Sequence, residues 1–258
     1  MSILEEVKGL QKTVFSLLAL FLAFSSFFFF FGLRDIHILE KSFLVPFPSG
    51  VSFAVVFFEN MRATLVPPGV ELLVTSPFSA FVAEISVALF LGFLATFPFL
   101  LYKIMAYIRP ALYPREKKIL YKAIFPSLAL FAAGCFFAYF IIIPPAFTFL
   151  YAYAGHIGAT AFFSVNEFIT WSFTFMFVTG LFFLLPVFMI SLTRFGIVAP
   201  HFWREKWRVM LFAILAFSAI ITPDGSGITM FLLSLPVAAL YGLGAYASAR
   251  PPGDRPAS

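Results

Sequence analysis

The residues best placed to do chemistry lie in the segment 103–122, KIMAYIRPALYPREKKILYK, between two long apolar runs. Glu116 is its single acid, among the cations Lys103, Arg109, Arg115, Lys117, Lys118 and Lys122. The planar fork of an arginine binds a carboxylate in a bidentate geometry that lysine cannot copy, and a basic surround keeps the carboxylate ionised. Glu116 is therefore a candidate to bind a guanidinium from a partner. Taken alone, the pattern favours a plainer alternative, a weak local ion pair on a solvated helix end.

Other kinds of site chemistry find little support in the chain. The sequence lacks a GxxxxGK phosphate loop, a GxGxxG turn, an HExxH zinc motif and a GxSxG elbow. Cys135 is the only cysteine, and the three histidines (His37, His156 and His201) are scattered without metal-ligand spacing. No paired acids at short helical spacing lie within an apolar run. We therefore predict neither an enzyme nor a bound metal or cofactor.

The elements that must position Glu116 are membrane helices, judging by composition. The chain is 62% hydrophobic, 20% aromatic and 11% charged, with a mean hydropathy of +1.00. Apolar runs of about 20 residues match a bilayer core about 30 Å thick. The sequence therefore predicts an all-α, polytopic membrane protein with one domain over 1–250 and a short disordered tail at 251–258. Six transmembrane helices are predicted, at 14–33, 81–102, 123–143, 168–192, 209–221 and 228–247.

Prolines predict where these helices bend or end. Pro110 and Pro114 should interrupt any helix that crosses the cationic segment, so PALYP is expected to be a shaped turn. Pro98 and Pro186 should kink the second and fourth spans, which predicts a curved bundle. Pro144–Pro145 should close the third span.

The parts outside the long spans are expected to be short helices. Residues 1–13 predict a separate polar helix. The apolar piece 51–58 is too short to span, so an amphipathic or interfacial helix is expected there. The last two runs are separated only by TPDGSG. They either thin the bilayer locally or form a re-entrant hairpin, and the sequence leaves both open.

The distribution of cations predicts the orientation of the chain. Most cations fall on one side: Lys8, Lys12, those of 103–122 and 194–208, Arg250 and Arg255. Only Arg34, Lys41 and Arg62 fall on the other. Cations in short loops mark the cytoplasmic side, so both termini are predicted to lie in the cytoplasm, beneath the cytoplasmic (inner) membrane. The net charge of +5 and pI near 9.4 then reflect orientation, and no nucleic-acid partner is expected.

Two strings give the chain a specific resemblance. IRPALYPREKK is followed by GCFFAYFIIIPPAFTFL at 134–150, and together they resemble the TatC family, the receptor subunit of the twin-arginine protein translocase. Residues 76–113 resemble the family's second span and its run into the loop. ITPD at 221–224 and LSLPVAALYGLG at 233–244 resemble the end of its fifth span and its sixth span. The resemblance covers most of the chain and is weakest at 34–70.

The resemblance implies roles for several residues. Glu116 matches the loop glutamate that binds the arginine pair of a signal peptide, and Tyr107 matches an aromatic residue of the same step. Glu6 and Lys8 match the glutamate and first arginine of the family's amino-terminal E-L-R-x-R-L string, whereas the second arginine is replaced by Leu10. The implied function is a receptor and scaffold for the export of folded proteins.

The membrane interior departs from the family more than the loop does. A fourth-span glutamate is Leu184 here, the sixth span's Tyr-Glu is Tyr241–Gly242, and Asp-x-Asp-x-x-x-Gln at the last outer turn reads Asp224, Ser226 and Met230. An intramembrane carboxylate is usually functional. The resemblance implies small single-span TatA and TatB partners and self-association. Leu184, Asp224, Met230 and Tyr139, a family tyrosine of the far side, are the candidate partner-contact or structural residues.

A second function remains open beside the receptor. A small-solute transporter or channel would also be a polytopic helical protein, although the chain shows no clear inverted repeat between its halves. Solute binding without signal-peptide binding would distinguish that function from a receptor.

Overall fold

The computed structural model describes residues 3–38, 41–48, 51–108, 114–156, 162–222 and 227–249. Only the backbone is described at 3–7, 33–38, 41–48, 108, 114–120 and 153–156. Within these limits the chain forms ten α-helices, a π-helical turn and two small sheets. The helices are α1 (Ile3–Phe30), α2 (Phe53–Leu65), α3 (Ser79–Ile108), α4 (Pro114–Phe137), α5 (Ile143–His156), α6 (Val165–Phe183), α7 (Leu185–Arg194), α8 (Phe202–Glu205), α9 (Trp207–Ile221) and α10 (Ile228–Ser248).

Six apolar helical stretches confirm the predicted all-α membrane fold. Five are long and apolar enough to cross a bilayer: Lys8–Phe30, Ser79–Tyr107, Tyr121–Ala152, Val165–Arg194 and Ile228–Ser248. The sixth is the shorter apolar helix α9, with 15 residues. At a rise of 1.5 Å per residue α9 is roughly 22 Å long, less than the bilayer core of about 30 Å. The short fifth run of the sequence is therefore a short helix in the structure.

The first helix is longer at its start and shorter at its end than the sequence predicted. The polar helix predicted at 1–13 is continuous with the first span in the residues described, because α1 runs without a break from Ile3 to Phe30. Beyond it, β1 (Phe31–Ile38) pairs antiparallel with β2 (Lys41–Pro48), a hairpin that the sequence did not predict. Pro46 and Pro48 push the residues before them into extended conformations. In a two-stranded sheet both strands are edges, so prolines are tolerated there.

The third span is also longer than predicted. Pro144–Pro145 was expected to close it, but the helix continues through the π-helical turn Ala138–Ile142 into α5, which ends at His156. That expectation is wrong because the two prolines fall in the first turn of α5, directly after the wider turn. A π-turn shifts the hydrogen-bond ladder, so the missing proline N–H groups cost less there than inside a regular helix.

Two other prolines lie within predicted spans. Pro98 lies inside α3, and its predicted kink stays a prediction. The fourth span divides at Leu184 into α6 and α7, with Pro186 in the first turn of α7. The predicted helix over 51–58 is present as α2, capped by Ser52, whose side chain accepts a hydrogen bond from the backbone N–H of Val55. In the segment 103–122, α3 ends at Ile108 and α4 begins at Pro114. The predicted PALYP turn falls mainly on 110–113, which lie outside the described residues.

The contacts divide the chain into two compact units. The first comprises Met1–Ile104 and Phe162–Trp171. In it α1 and α3 cross closely at Gly92, where an added Cβ would lie 2.1 Å from Ser25 Oγ. The rings of Phe27 and Phe28 contact Phe53 at the start of α2. A short parallel pair joins β3 (Glu71–Leu73) to β4 (Phe162–Ser164).

The second unit comprises Met105–Ala161 and Ser172–Ser258. Here α4 crosses α6 at a pair of glycines, since an added Cβ at Gly134 would lie 2.8 Å from Gly180 Cα. Helix α10 packs against α7, with Gly244 against Met189. Small residues at such crossings let membrane helices approach closely.

Candidate functional site

Tyr107 lies next to the carboxyl-terminal end of α3. Its side chain is 56% exposed, in a helix whose preceding turns are almost entirely apolar. An exposed tyrosine offers a rigid apolar ring with a polar hydroxyl at little cost in conformational entropy, as is common at binding surfaces. The structure therefore leaves Tyr107 available to a ligand.

Glu116 lies in the first turn of α4. The helix begins at Pro114, so the glutamate is its third residue. Proline suits the first helical position because its missing N–H would have no partner there. The amino-terminal end of a helix carries a partial positive charge and stabilises a carboxylate in the first turn. The backbone thus places Glu116 in the first turn of α4, and its side chain is not described.

The other predicted signal-binding residues lie on α1. Glu6 and Lys8 are both in its first turns, and the Lys8 side chain is exposed. These two belong to the first compact unit, whereas Tyr107 and Glu116 belong to the second.

The four residues predicted for partner contacts or structure differ in their surroundings. Leu184 is half-buried at the break between α6 and α7, and its N–H donates to the carbonyl of Leu181. Tyr139 is half-buried in the π-helical turn, with its ring edge-on to Phe140. Met230 is half-buried in the first turn of α10. Asp224 lies outside the residues that the structure describes.

Sequence reasoning missed a carboxylate bonded to a helix cap. Ser52 Oγ donates to Glu84 Oε1 at 2.6 Å, and Ser52 is 3% exposed. The bond ties the start of α2 to α3 across 32 residues of sequence. A serine before an apolar run indicates a helix cap, but nothing in the sequence pairs that serine with Glu84.

A second missed feature fastens the short helix α8. Trp203 Nε1 donates to Thr193 Oγ1 at 2.9 Å, and the hydroxyl of Tyr241 donates to the carbonyl of Trp203. Trp203 is 6% exposed, although it lies in a segment of cations. The two bonds connect α8 to α7 and α10. Tryptophan and tyrosine near a span end were the available signal, because both are enriched at membrane interfaces and usually find a partner for their polar group.

Beside α8 the structure has a cleft, here called the α9–α10 pocket. Its volume is about 380 Å³, and it is lined by residues of α8, the first turns of α9 and the last turns of α10. Gly242, where the family has a glutamate, forms part of its wall. An added Cβ at Gly242 would meet no atom within 4 Å.

Comparison with known proteins agrees with these features. A family model described as "Sec-independent protein translocase protein (TatC)" matches residues 4–236. A translocase protein TatC of Cenarchaeum symbiosum is 38% identical over 192 residues, which are 74% of this chain and 73% of that protein. One from Synechocystis sp. is 34% identical over 177 residues, 68% of this chain and 69% of its own.

The fold comparison gives the same result. A crystal structure of the twin-arginine translocase receptor TatC matches with a TM-score of 0.71 and 26% identity. The match covers 94% of this chain and 97% of the other. The family model matches nearly all of the transmembrane region. This match favours the function of a receptor over that of a small-solute transporter. The chain therefore belongs to the TatC family of Sec-independent protein translocase proteins.

Proposed function

We propose that the chain binds twin-arginine signal peptides at its cytoplasmic face, with Glu116 pairing with an arginine of the signal. The observation that carries the proposal is the placement of Glu116 in the first turn of α4, nine residues after the exposed Tyr107. Family membership supports it, since the related crystal structure is that of a twin-arginine translocase receptor.

The chemistry of the pair accounts for the need for arginine. A guanidinium and a carboxylate form two parallel hydrogen bonds, whereas an ammonium acts as a point charge. The dipole of α4 and the neighbouring cations keep the carboxylate ionised, ready for a cationic ligand. Tyr107 then packs on the signal, and Glu6 and Lys8 of α1 are further proposed signal-binding residues. The apolar part of the signal lies against the spans.

The orientation follows from the cations. With an even number of crossings, the amino terminus, 103–122, 194–208 and the carboxyl terminus share one side of the membrane. That side carries most of the lysine and arginine, which supports the proposal that both termini lie in the cytoplasm and the chain in the cytoplasmic (inner) membrane.

We expect partner helices to assemble with this chain into the translocase complex. Small single-span subunits of the TatA and TatB type, together with further copies of this chain, are the proposed partners. Leu184 replaces the family's fourth-span glutamate, so an apolar contact takes the place of a polar one near the break between α6 and α7. Tyr139, Met230 and Asp224 are the other proposed contact or structural positions.

Photo-cross-linking tests the binding site. A twin-arginine signal peptide would carry a photoreactive residue beside the arginines, and the linked residues of the full chain in membranes would be mapped by mass spectrometry. We expect links concentrated in 103–122. A matched peptide with two lysines should give about tenfold less product, the effect of losing about 1.4 kcal/mol of a charge-assisted bond.

Two results would contradict the proposal. Equal labelling by the two-lysine peptide would exclude bidentate recognition at this face. Links that fall only outside the cationic segment would place the arginines elsewhere on the chain.

A further inference from the structure

The α9–α10 pocket is lined by aromatic, apolar and cationic residues. Aromatic rings (Trp207 and Tyr246) and apolar side chains such as Leu211 stand beside a cation, Arg204. Lys206 and Arg208, which follow it in the sequence, are also exposed, and Glu205 is the single acid of the segment 194–208. A pocket with this lining suits a ligand that is apolar at one end and anionic at the other.

The wall on the α8 side is fixed before any ligand arrives. Trp203 is bonded to Thr193 through its ring nitrogen and to Tyr241 through its carbonyl. Both bonds lie within the second compact unit, and Trp203 itself lines the pocket. Preorganised walls lower the entropic cost of binding.

Gly242 has no side chain and leaves open space in the wall of the pocket. Gly242 lies within α10, and the region where its Cβ would lie is empty to a distance of 4 Å. Glycine inside a helix costs about 1 kcal/mol relative to alanine. No close helix approach at Gly242 offsets that cost, in contrast to Gly244, two residues on, which abuts Met189.

The cations lie beside aromatic residues at the start of α9. Helix α9 begins at Trp207, and the guanidinium of Arg208 lies 5.5 Å from the Trp207 ring centroid. Tryptophan and tyrosine concentrate at the level of the headgroups, and basic pockets between spans bind anionic headgroups. The amino-terminal end of α9 adds a partial positive charge.

We propose that the α9–α10 pocket binds one anionic phospholipid. Its phosphate lies by Arg204, and its first acyl methylenes run along Leu211 and over Gly242. The charge of the lining favours a lipid over a partner helix, because an anionic headgroup would pair with the exposed Arg204, whereas an apolar span would bring no counter-charge to it. The proposal does not depend on signal-peptide binding.

Native mass spectrometry of the full chain in a neutral detergent tests the site. Phosphatidylglycerol would be titrated against phosphatidylcholine with the same acyl chains, and inorganic phosphate would be added in a separate arm. We expect one phosphatidylglycerol to bind about tenfold more tightly than phosphatidylcholine. Millimolar phosphate should not displace it, because the acyl contacts contribute to affinity.

Two variants locate the lipid. Gly242→Leu fills the empty space without meeting any atom near its Cβ, and leucine favours the helix more than glycine does, so the chain should fold normally. Arg204→Gln removes a lining cation without filling space. Each variant should lower the affinity for phosphatidylglycerol about tenfold. Arg194 is an exposed cation outside the pocket, so Arg194→Gln should leave that affinity unchanged.

Several outcomes would overturn the proposal. Unchanged phosphatidylglycerol affinity in Gly242→Leu and Arg204→Gln would show that the lipid lies elsewhere. Equal binding of phosphatidylcholine would exclude recognition of charge, and full displacement by phosphate would reduce the site to an anion site. Loss of a co-purifying small subunit in Gly242→Leu, with lipid affinity unchanged, would assign the pocket to a protein contact.

Discussion

The two cationic segments, 103–122 and 194–208, look alike in sequence and differ in structure. Each lies between apolar runs, carries several cations and holds a single acid, Glu116 in one and Glu205 in the other. In the first, a helix ends at Ile108 and another begins at Pro114. In the second, the short helix α8 lies between α7 and α9 and is fastened by two side-chain hydrogen bonds.

The difference lies in the aromatic residues rather than in the charges. Tyr107 of the first segment is 56% exposed, and Trp203 of the second is 6% exposed. The cations orient both segments in the membrane and do not distinguish them. A buried aromatic residue holds a segment in place, and an exposed one is free to take a ligand. The exposed ring agrees with the peptide-binding role that we propose for the first segment, whereas the buried ring of the second forms part of a pocket wall.

Replacing each aromatic residue by alanine should give the largest contrast. Trp203→Ala removes a buried ring and its bond to Thr193, and such truncations cost about 3–5 kcal/mol. Tyr107→Ala removes an exposed ring and should change the free energy of unfolding by less than about 0.5 kcal/mol. Thermal unfolding of the purified chain measures both.

Signal-peptide binding should respond in the opposite order. Tyr107→Ala should lower the affinity for the signal peptide. A mild variant such as Trp203→Phe, which keeps an aromatic ring, should leave that affinity unchanged. Similar loss of stability in Tyr107→Ala and Trp203→Ala would contradict the division of roles between the two segments.

Neutralising the single acid of each segment gives the next contrast. Glu116→Gln keeps the size of the side chain and removes its charge, so affinity for a twin-arginine peptide should fall about ten- to a hundredfold, as expected for a charge-assisted hydrogen bond. Glu205→Gln is the matched control because it makes the same change in a similarly basic segment. Fluorescence anisotropy with a labelled peptide measures both affinities.

The control also tests a plainer explanation. If net charge alone attracted the peptide, the two variants would weaken binding equally, and added salt would erase the effect of both. A selective loss in Glu116→Gln that persists at higher salt identifies a specific pair.

The sequence predicted what depends on composition and on neighbouring residues. Long apolar runs located the spans, and Pro186 marked the break between α6 and α7. A local string around Glu116 carried the family resemblance, because its spacing is short and its residue types are specific.

Contacts between distant residues were not predictable. Tyr241 and Trp203 are 38 residues apart, and Ser52 and Glu84 are 32 apart. Each bond depends on how whole helices pack. Pro144–Pro145 misled the interpretation for a related reason, since the π-helical turn before them is set by packing and has no sequence signature. The pocket at Gly242 likewise exists only because α9 and α10 lie side by side.

Removing one hydroxyl from each segment should give the smallest contrast. Tyr241→Phe deletes the donor to the Trp203 carbonyl and keeps the ring, so the free energy of unfolding should fall by about 1 kcal/mol. Tyr107→Phe deletes an exposed hydroxyl, which water replaces, and should leave stability unchanged within about 0.5 kcal/mol. Thermal unfolding of both variants beside the parent chain gives the comparison. An equal effect of the two changes would mean that the Tyr241 bond does not fasten α8. A loss of stability confined to Tyr241→Phe, with unchanged signal-peptide affinity, would show that contacts with α10 stabilise the second segment. The Tyr107 hydroxyl of the first segment would then make no comparable contribution to stability.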